Sequence, residues 1–431
     1  MQATSHPKQV WSLPLRIAFR FAFVYFGLYC LATQIAGSLF LTPTSSFRGL
    51  GLLWPMRSIT VWVAEHLFGV SDPLVYGRNS GETLFFWVQV FWLLIVAVAG
   101  TAVWSFVDRR RENYITLHKW FHLFIRFALA ASMFEYGMTK VIPTQFPRPT
   151  LNNLVTPVGN LSLSALLWTT IGASPAYEIF TGIAEVIGGI LLLIPRTTML
   201  GALICLADMT QVFVLNMTYD IGVKQISFHL ILLSLLVLAP DSRRLVDFFF
   251  RDKPTNHSAR VPLFGSPRAN RIAVVVQILF GAYLLGTDAF INWTYLNAAG
   301  DGSPRSPLYG IWDVDQLSID GHTRPAALND YDRQWRRVVF DLPNTVVFQR
   351  FDDSFARFGA SIDVYKHTIV LSKGGARTWK GGFTFERPAE NRMILDGEMD
   401  GHKIRAELQL AEFDTFRLLN SRFRWIRPEE Q

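Results

Sequence analysis

Residues 176–239 hold three apolar runs of membrane-spanning length, separated only by Pro195-Arg196 and Tyr219-Asp220-Ile221-Gly222. Apolar runs of roughly 20 residues match the hydrocarbon core of a bilayer, so the stretch predicts three consecutive spanning helices. Each run carries an ionisable residue. At a rise of about 1.5 Å per residue, Glu185 lies about 15 Å and Asp208 about 17 Å from the Pro195-Arg196 turn, and His229 about 16 Å from Pro240. The spacing thus puts a Glu, an Asp and a His at one depth, near the bilayer midplane. A charge there costs roughly 2.5–3.5 kcal/mol on insertion scales, so such groups face the bundle interior and either pair or mark a site.

The flanking chain extends the same pattern. Lys8, Arg16 and Arg20 precede and enter a first apolar run at 14–37, and a second, at 83–107, stops at Asp108-Arg109-Arg110-Arg111. A third run, 120–142, leads to the proline-rich loop PTQFPRPTLNNLVTPVGN. After the three central helices come Arg243, Arg244, Arg251, Lys253, Arg260, Arg268 and Arg271, then a last apolar run at 272–290. The expectation is about seven transmembrane helices, with the N-terminus and every strongly basic loop on the cytoplasmic side and the C-terminus outside. Residues 54–68, with Trp54 and Trp62 at headgroup depth, read as an interfacial helix.

Charge supports this division. Residues 301–431 contain 19 Lys+Arg and 20 Asp+Glu, leaving 22 basic and 14 acidic residues for the first 300. The positive excess belongs to the membrane half, as cytoplasmic anchoring requires, so it does not argue for a nucleic-acid partner. The two cysteines, Cys30 and Cys205, both fall in apolar runs, and no CxxC, GxGxxG, P-loop, GxSxG or HExxH is present. No metal site and no intrinsic cofactor motif are therefore expected. His118 and His122 share a helical face but lie more than about 10 Å shallower than His229, so they read as headgroup-level residues rather than a haem pair.

The intramembrane polar residues form two expected groups. Glu185 and Asp208 are joined by a tight turn, with Gly182, Gly188 and Gly189 allowing close backbone approach; Arg126 is placed to reach them, and His229 shares their level. Nearer the outer face stand Glu135, Tyr136 and Lys140, then Glu178, Gln211, Asn216, Asp220 and Lys224. Glu178 and Glu185 are seven apart and Asp208 and Gln211 three apart, spacings that share a face. One reading is a polar stripe leading to a pocket for a quinone, a lipid headgroup or another small amphipathic molecule. The other is a set of interhelical ion pairs that only fix packing.

Beyond the linker at 300–307 the texture changes to short alternating runs at 308–319, 335–341, 345–350, 357–365, 368–372, 382–386, 392–395, 403–410 and 423–426. This predicts an all-β domain, a closed barrel or small sandwich. Gly310-Ile-Trp312 on the first strand, with Arg422 and Arg424 on the last, is similar to the lipocalin arrangement in which a first-strand Trp is covered by a last-strand Arg. Either a ligand-binding barrel or a lid is compatible with it.

The run Arg126…Tyr136-Gly137…Lys140, followed by Gly182-Ile-Ala-Glu185-Val-Ile-Gly188-Gly189 and Arg196-Thr-Thr, resembles the DoxX family of bacterial membrane proteins. In that family an arginine opens one helix, a Gly-x-x-Lys closes it, and a Glu-x-x-Gly-Gly helix precedes an arginine turn. Gln145-Phe-Pro-Arg-Pro149 and Leu215-Asn-Met-Thr-Tyr-Asp220-Ile-Gly-Val-Lys224 resemble the longer DoxX-like proteins with an extracytoplasmic C-terminal domain. The resemblance implies a bacterial inner-membrane protein linked to quinone-coupled redox systems, with membrane lipids and a redox protein as partners. The expected organisation is an N-terminal membrane region at 1–112, a DoxX-like membrane domain at 113–299 and a periplasmic β domain at 300–431. The alternative is a non-catalytic assembly or lipid-binding protein whose buried charges are structural.

Overall fold

A computed structural model describes residues 10–44, 47–76, 82–254, 262–299, 304–324, 334–373, 379, 381–420 and 425–426. Lys8, Arg260, Arg422, Arg424 and residues 300–303 of the linker lie outside the described residues. Two compact units emerge, one of Met1–Gln145 with Ala176–Tyr295, the other of Phe146–Pro175 with Leu296–Gln431.

The first unit is a helical bundle. In chain order its helices are α1 (Leu13–Ala32), α2 (Gln34–Leu39), α3 (Met56–Phe68), α4 (Leu84–Val107) and α5 (Ile115–Val141). The chain then enters the second unit through α6 (Leu151–Val155) and α7 (Leu163–Gly172), and returns with α8 (Pro175–Leu193), α9 (Thr198–Thr218), α10 (Lys224–Leu238), α11 (Ser242–Phe249) and α12 (Pro267–Ala299). Helix α3 matches the expected 54–68 helix and ends where Gly69 turns left-handed at φ 64°, a conformation glycine adopts without a Cβ clash.

Among the described residues, six helices are long and apolar enough to cross a membrane: α1, α4, α8, α9, the stretch beginning with α10, and α12. The remaining expected span is α5, with 27 residues. Its His, Arg, Lys and Glu residues make it less apolar than the six, and its position explains how it carries them. Every residue from 125 to 134 is buried, so α5 is the inner helix of the bundle and presents little surface to lipid. Around it pack Tyr29, Ile35, Val88, Leu93, Leu192, Cys205, Leu230 and Leu284 from seven other helices.

The second unit is a β-barrel. Its strands are β1 (Gly310–Ile319), β2 (His322–Arg324), β3 (Trp335–Phe340), β4 (Thr345–Arg350), β5 (Phe355–Asp363), β6 (Thr368–Ser372), β7 (Gly381–Ala389), β8 (Arg392–Met399) and β9 (His402–Leu410), followed by the short helix α13 (Arg417–Asn420). All pairings are antiparallel, each strand from β3 to β9 beside the next, and β1 joins both β3 and β9 to close eight strands. β2 adds only a hairpin to the end of β1. Two-residue turns at Asp320-Gly321 and Asp400-Gly401 have positive φ at both positions, the geometry whose twist matches that of the flanking strands.

The alternation of each strand fills the interior. Ile369 and Leu371 of β6, Met393 and Leu395 of β8, and Ile404, Ala406 and Leu408 of β9 point inward with Trp335, Phe348, Phe358 and Phe383. An eight-stranded barrel is just wide enough to be packed by such side chains. The outer faces of β1, β3 and β4 are covered too. Ile311, Val339 and Val347 pack against Leu151 and Val155 of α6, while the Asp341 carboxylate accepts from the Leu151 N–H at 3.1 Å and Gln349 Nε2 donates to the Val155 carbonyl at 3.0 Å.

The expected strands at 335–341, 345–350 and 368–372 agree with the observed ones to within a residue. The exception is 423–426, of which 423 and 424 lie outside the described residues and Trp425-Ile426 forms a bend. Trp312 is fully buried and donates from Nε1 to the Leu308 carbonyl at 3.0 Å. The guanidinium over its ring is that of Arg387, at 5.6 Å from β7; the expected arginines, Arg422 and Arg424, lie outside the described residues.

Candidate functional site

Helices α5 and α8 approach so closely that neither admits a side chain where they cross. A Cβ on Gly137 would stand 2.7 Å from Val186 Cγ2, and one on Gly182 would stand 2.6 Å from the Gly137 carbonyl oxygen. One turn beyond this crossing, Lys140 Nζ meets both carboxylate oxygens of Glu185, at 2.6 and 2.7 Å. Glu185 is 1% exposed and Lys140 7%. The pair is therefore fully desolvated, where removing either partner strands a charge. Asp208 of α9 lies within electrostatic reach of both. Its Oδ2 is buried and has no hydrogen-bond partner among the described residues.

A second part of the cluster surrounds Glu135 on the same helix α5. Ser38 Oγ donates to Glu135 Oε2, and Gln34 Nε2 donates to the Tyr136 hydroxyl. Both donors come from α2, whose short helical turn packs on α5. From α12, Asp288 lies within electrostatic reach of Glu135. Asn292 Oδ1, one turn further, accepts from Thr144 Oγ1 at 2.8 Å.

Three of the expected placements change. Arg126 turns toward α12: its Nη2 donates to Gln277 Oε1 and lies 3.5 Å from the Leu193 carbonyl at the end of α8. His229 bonds neither carboxylate: Nε2 shares a 2.8 Å hydrogen bond with the Tyr25 hydroxyl, Nδ1 meets the Gln225 carbonyl at 2.7 Å, and the ring stacks on Tyr29 at 3.7 Å. Gln211 is exposed on α9 rather than beside Asp208. Equal depth along parallel helices fixes height but not azimuth, and here α1 interposes its tyrosines before His229.

The other expected residues divide by position. Glu178 is fully buried on α8, two turns from Glu185. Asn216 Nδ2 donates to Ser227 Oγ at 3.1 Å and tightens the α9–α10 turn. Asp220 and Lys224 form an exposed pair at 2.8 Å, and this lysine hydrogen bond holds the Asp220 carboxyl below the usual range. His122 Nε2 meets the Val237 carbonyl at 3.1 Å, a packing contact between α5 and α10. Among the described residues no group of three or more His, Cys, Asp or Glu is placed to hold a metal ion.

Asp288, Gln277, Gln34, Ser38, Tyr25 and Tyr29 were not among the expected site residues, and Arg20 was expected only as a mark of the cytoplasmic end of the first span. Asp288 stands alone as an acid in an apolar run, the same signal that marked Glu185. Arg20 is 1% exposed, and its guanidinium donates to the Tyr114 hydroxyl at 2.7 and 2.9 Å, Ser105 Oγ at 2.8 Å and the Asp108 carbonyl at 2.9 Å. This set ties α1 to the end of α4 and the start of α5.

Helices of spanning length around a charged inner helix define a multi-pass integral membrane protein, here carrying a closed eight-stranded β-barrel. Over 132 residues the chain is 36% identical to a protein of Bacillus subtilis (strain 168) described as the uncharacterized protein YwoB, an alignment covering 30% of this chain and 81% of that one. The chain belongs to the same family as YwoB. No family model matches the sequence. No solved structure matches the chain.

Proposed function

We propose that the protein is a DoxX-like component of a bacterial inner-membrane redox system that binds a quinone or another amphipathic small molecule beside Lys140, Glu185 and Asp208. The observation that carries this reading is Asp208 Oδ2, a buried carboxylate oxygen with no hydrogen-bond partner among the described residues, beside a desolvated ion pair. Buried polar atoms are ordinarily satisfied, and an exception calls for a cause such as a redox role, a water or an ion. A quinone, when bound, supplies a two-electron, two-proton couple. The residues present suit such a head group: Lys140 is a donor, Asp208 can hold or accept a proton, and the apolar residues of α8 and α9 accommodate a hydrocarbon tail. The basic stretches Arg109-Arg110-Arg111 and Arg243-Arg244 support a cytoplasmic location for those loops and a periplasmic C-terminal unit.

A second reading rests on the Lys140–Glu185 contact itself. With both carboxylate oxygens engaged at 2.6 and 2.7 Å, the pair is complete without a ligand, as a purely structural ion pair in an assembly or lipid-binding protein would be. Mass spectrometry of small molecules extracted from gently purified protein separates the two. A quinone or lipid retained by wild type and lost from folded Glu185→Gln and Asp208→Asn variants is the expected result. Variants that are merely less stable, with nothing specific bound to any of the three proteins, leave the structural reading standing and remove the first.

A further inference from the structure

Asp288, buried, and Glu135, half-buried, are carboxylates on facing helices, and the Lys140–Glu185 contact leaves both untouched. Helices α5 and α12 are held together on either side of them. Arg126 bonds Gln277, and the rings of Phe127 and Phe280 stand 5.6 Å apart; in the other direction Thr144 bonds Asn292. Asp288 is 3% exposed, and its Oδ2 has no hydrogen-bond partner among the described residues. Glu135 accepts from Ser38 Oγ, and its charge acts on Asp288.

The charged and titratable groups around the pair are few. On α5 they are Tyr136, whose hydroxyl accepts from Gln34, and Lys140, which is engaged by Glu185. Helix α2 contributes no ionisable side chain, and the exposed Arg48 beyond it acts on Glu135 and Tyr136. On α12 the nearest is Tyr283, whose hydroxyl donates to the Leu41 carbonyl at 3.0 Å. From α8, Glu185 adds only a like charge near Tyr136.

Two adjacent carboxylates in a low-dielectric interior repel, and an acceptor oxygen with no donor there is expensive. One proton resolves both at once: it removes a charge and turns the orphaned acceptor into a donor. We propose that Glu135 and Asp288 form a proton-binding site that takes up and releases one proton per chain, separate from the site beside Lys140, Glu185 and Asp208. No bond other than O–H forms or breaks, and the pair cycles between two negative charges and one. In a spanning bundle such a group is the elementary part of a proton-coupled device.

Infrared difference spectroscopy of the full chain in lipid nanodiscs, stepped in pH, reads the site through the carbonyl band of protonated carboxylic acids. The expected wild-type spectrum contains a reversible band equivalent to one carboxyl per chain. Asp288→Asn and Glu135→Gln each abolish that same band, whereas Asp208→Asn leaves it. Asp288→Glu, which keeps a carboxyl, shifts the band without removing it and controls for loss of folding. Carbon-13 labelling of aspartate in the wild type must likewise displace a band that Asp208→Asn retains. A band that survives both neutralising variants, or two bands lost independently, overturns the proposal.

Discussion

At the residue scale, the Lys140–Glu185 contact joins α5 to α8 through one ion pair seated at a glycine crossing. Lys140→Ala leaves Glu185 buried without its cation, which costs about 3–5 kcal/mol. Denaturation in mixed micelles checks this, and the double variant Lys140→Met with Glu185→Leu is expected to recover most of the loss, because well-packed apolar groups often replace a buried pair without penalty. The depths of Glu185, Asp208 and His229 were legible because helical rise is regular. Their partners were not, because which face a residue presents depends on how neighbouring helices rotate. Thus Arg126 turned to Gln277 and His229 to Tyr25. Asp288 was legible by the same rule as Glu185, as a lone acid in an apolar run, and it is the residue on which the proton-binding proposal rests.

At the element scale, the eight closing strands could be read from sequence because a barrel wall has one buried face, which imposes a period of two. Strands β3 and β4 broke that period with Val338-Val339-Phe340 and Val346-Val347-Phe348, a sign of burial on both faces. What covers the second face was not legible. Helix α6 has five residues, and its contacts join positions nearly two hundred apart in the chain. Those contacts bring a pH dependence. Burial raises the Asp341 carboxyl above its ordinary value despite the Leu151 N–H and two nearby arginines. A raised folded-state value means that stability is fully present below the unfolded value and is lost as pH rises through the folded one. The α6–barrel contact should therefore loosen just above the usual carboxylate range. Protease sensitivity of α6 in the full chain should rise over that interval, and Asp341→Asn should flatten the rise.

At the scale of the whole molecule, the sequence division at residue 300 places 146–175 with the membrane helices, whereas in the structure Phe146–Pro175 packs with the barrel. The direction of the three expected crossings before 146, by α1, α4 and α5, cannot be inferred from the barrel, so topology needs its own measurement. Reporter fusions after Arg111 and Lys253 should read cytoplasmic, and a fusion at the C-terminus should read external; a C-terminal reporter on the cytoplasmic side would reverse the assignment. The divided barrel unit also bears on biosynthesis. Its first segment leaves the ribosome long before the strands it packs on, with α8, α9, α10 and α12 translated in between. Until β1, β3 and β4 exist, Leu151 and Val155 have no cover. A chain halted anywhere before the barrel therefore displays an apolar helix that a finished one conceals, giving quality-control proteases a means to tell an abandoned product from a completed protein.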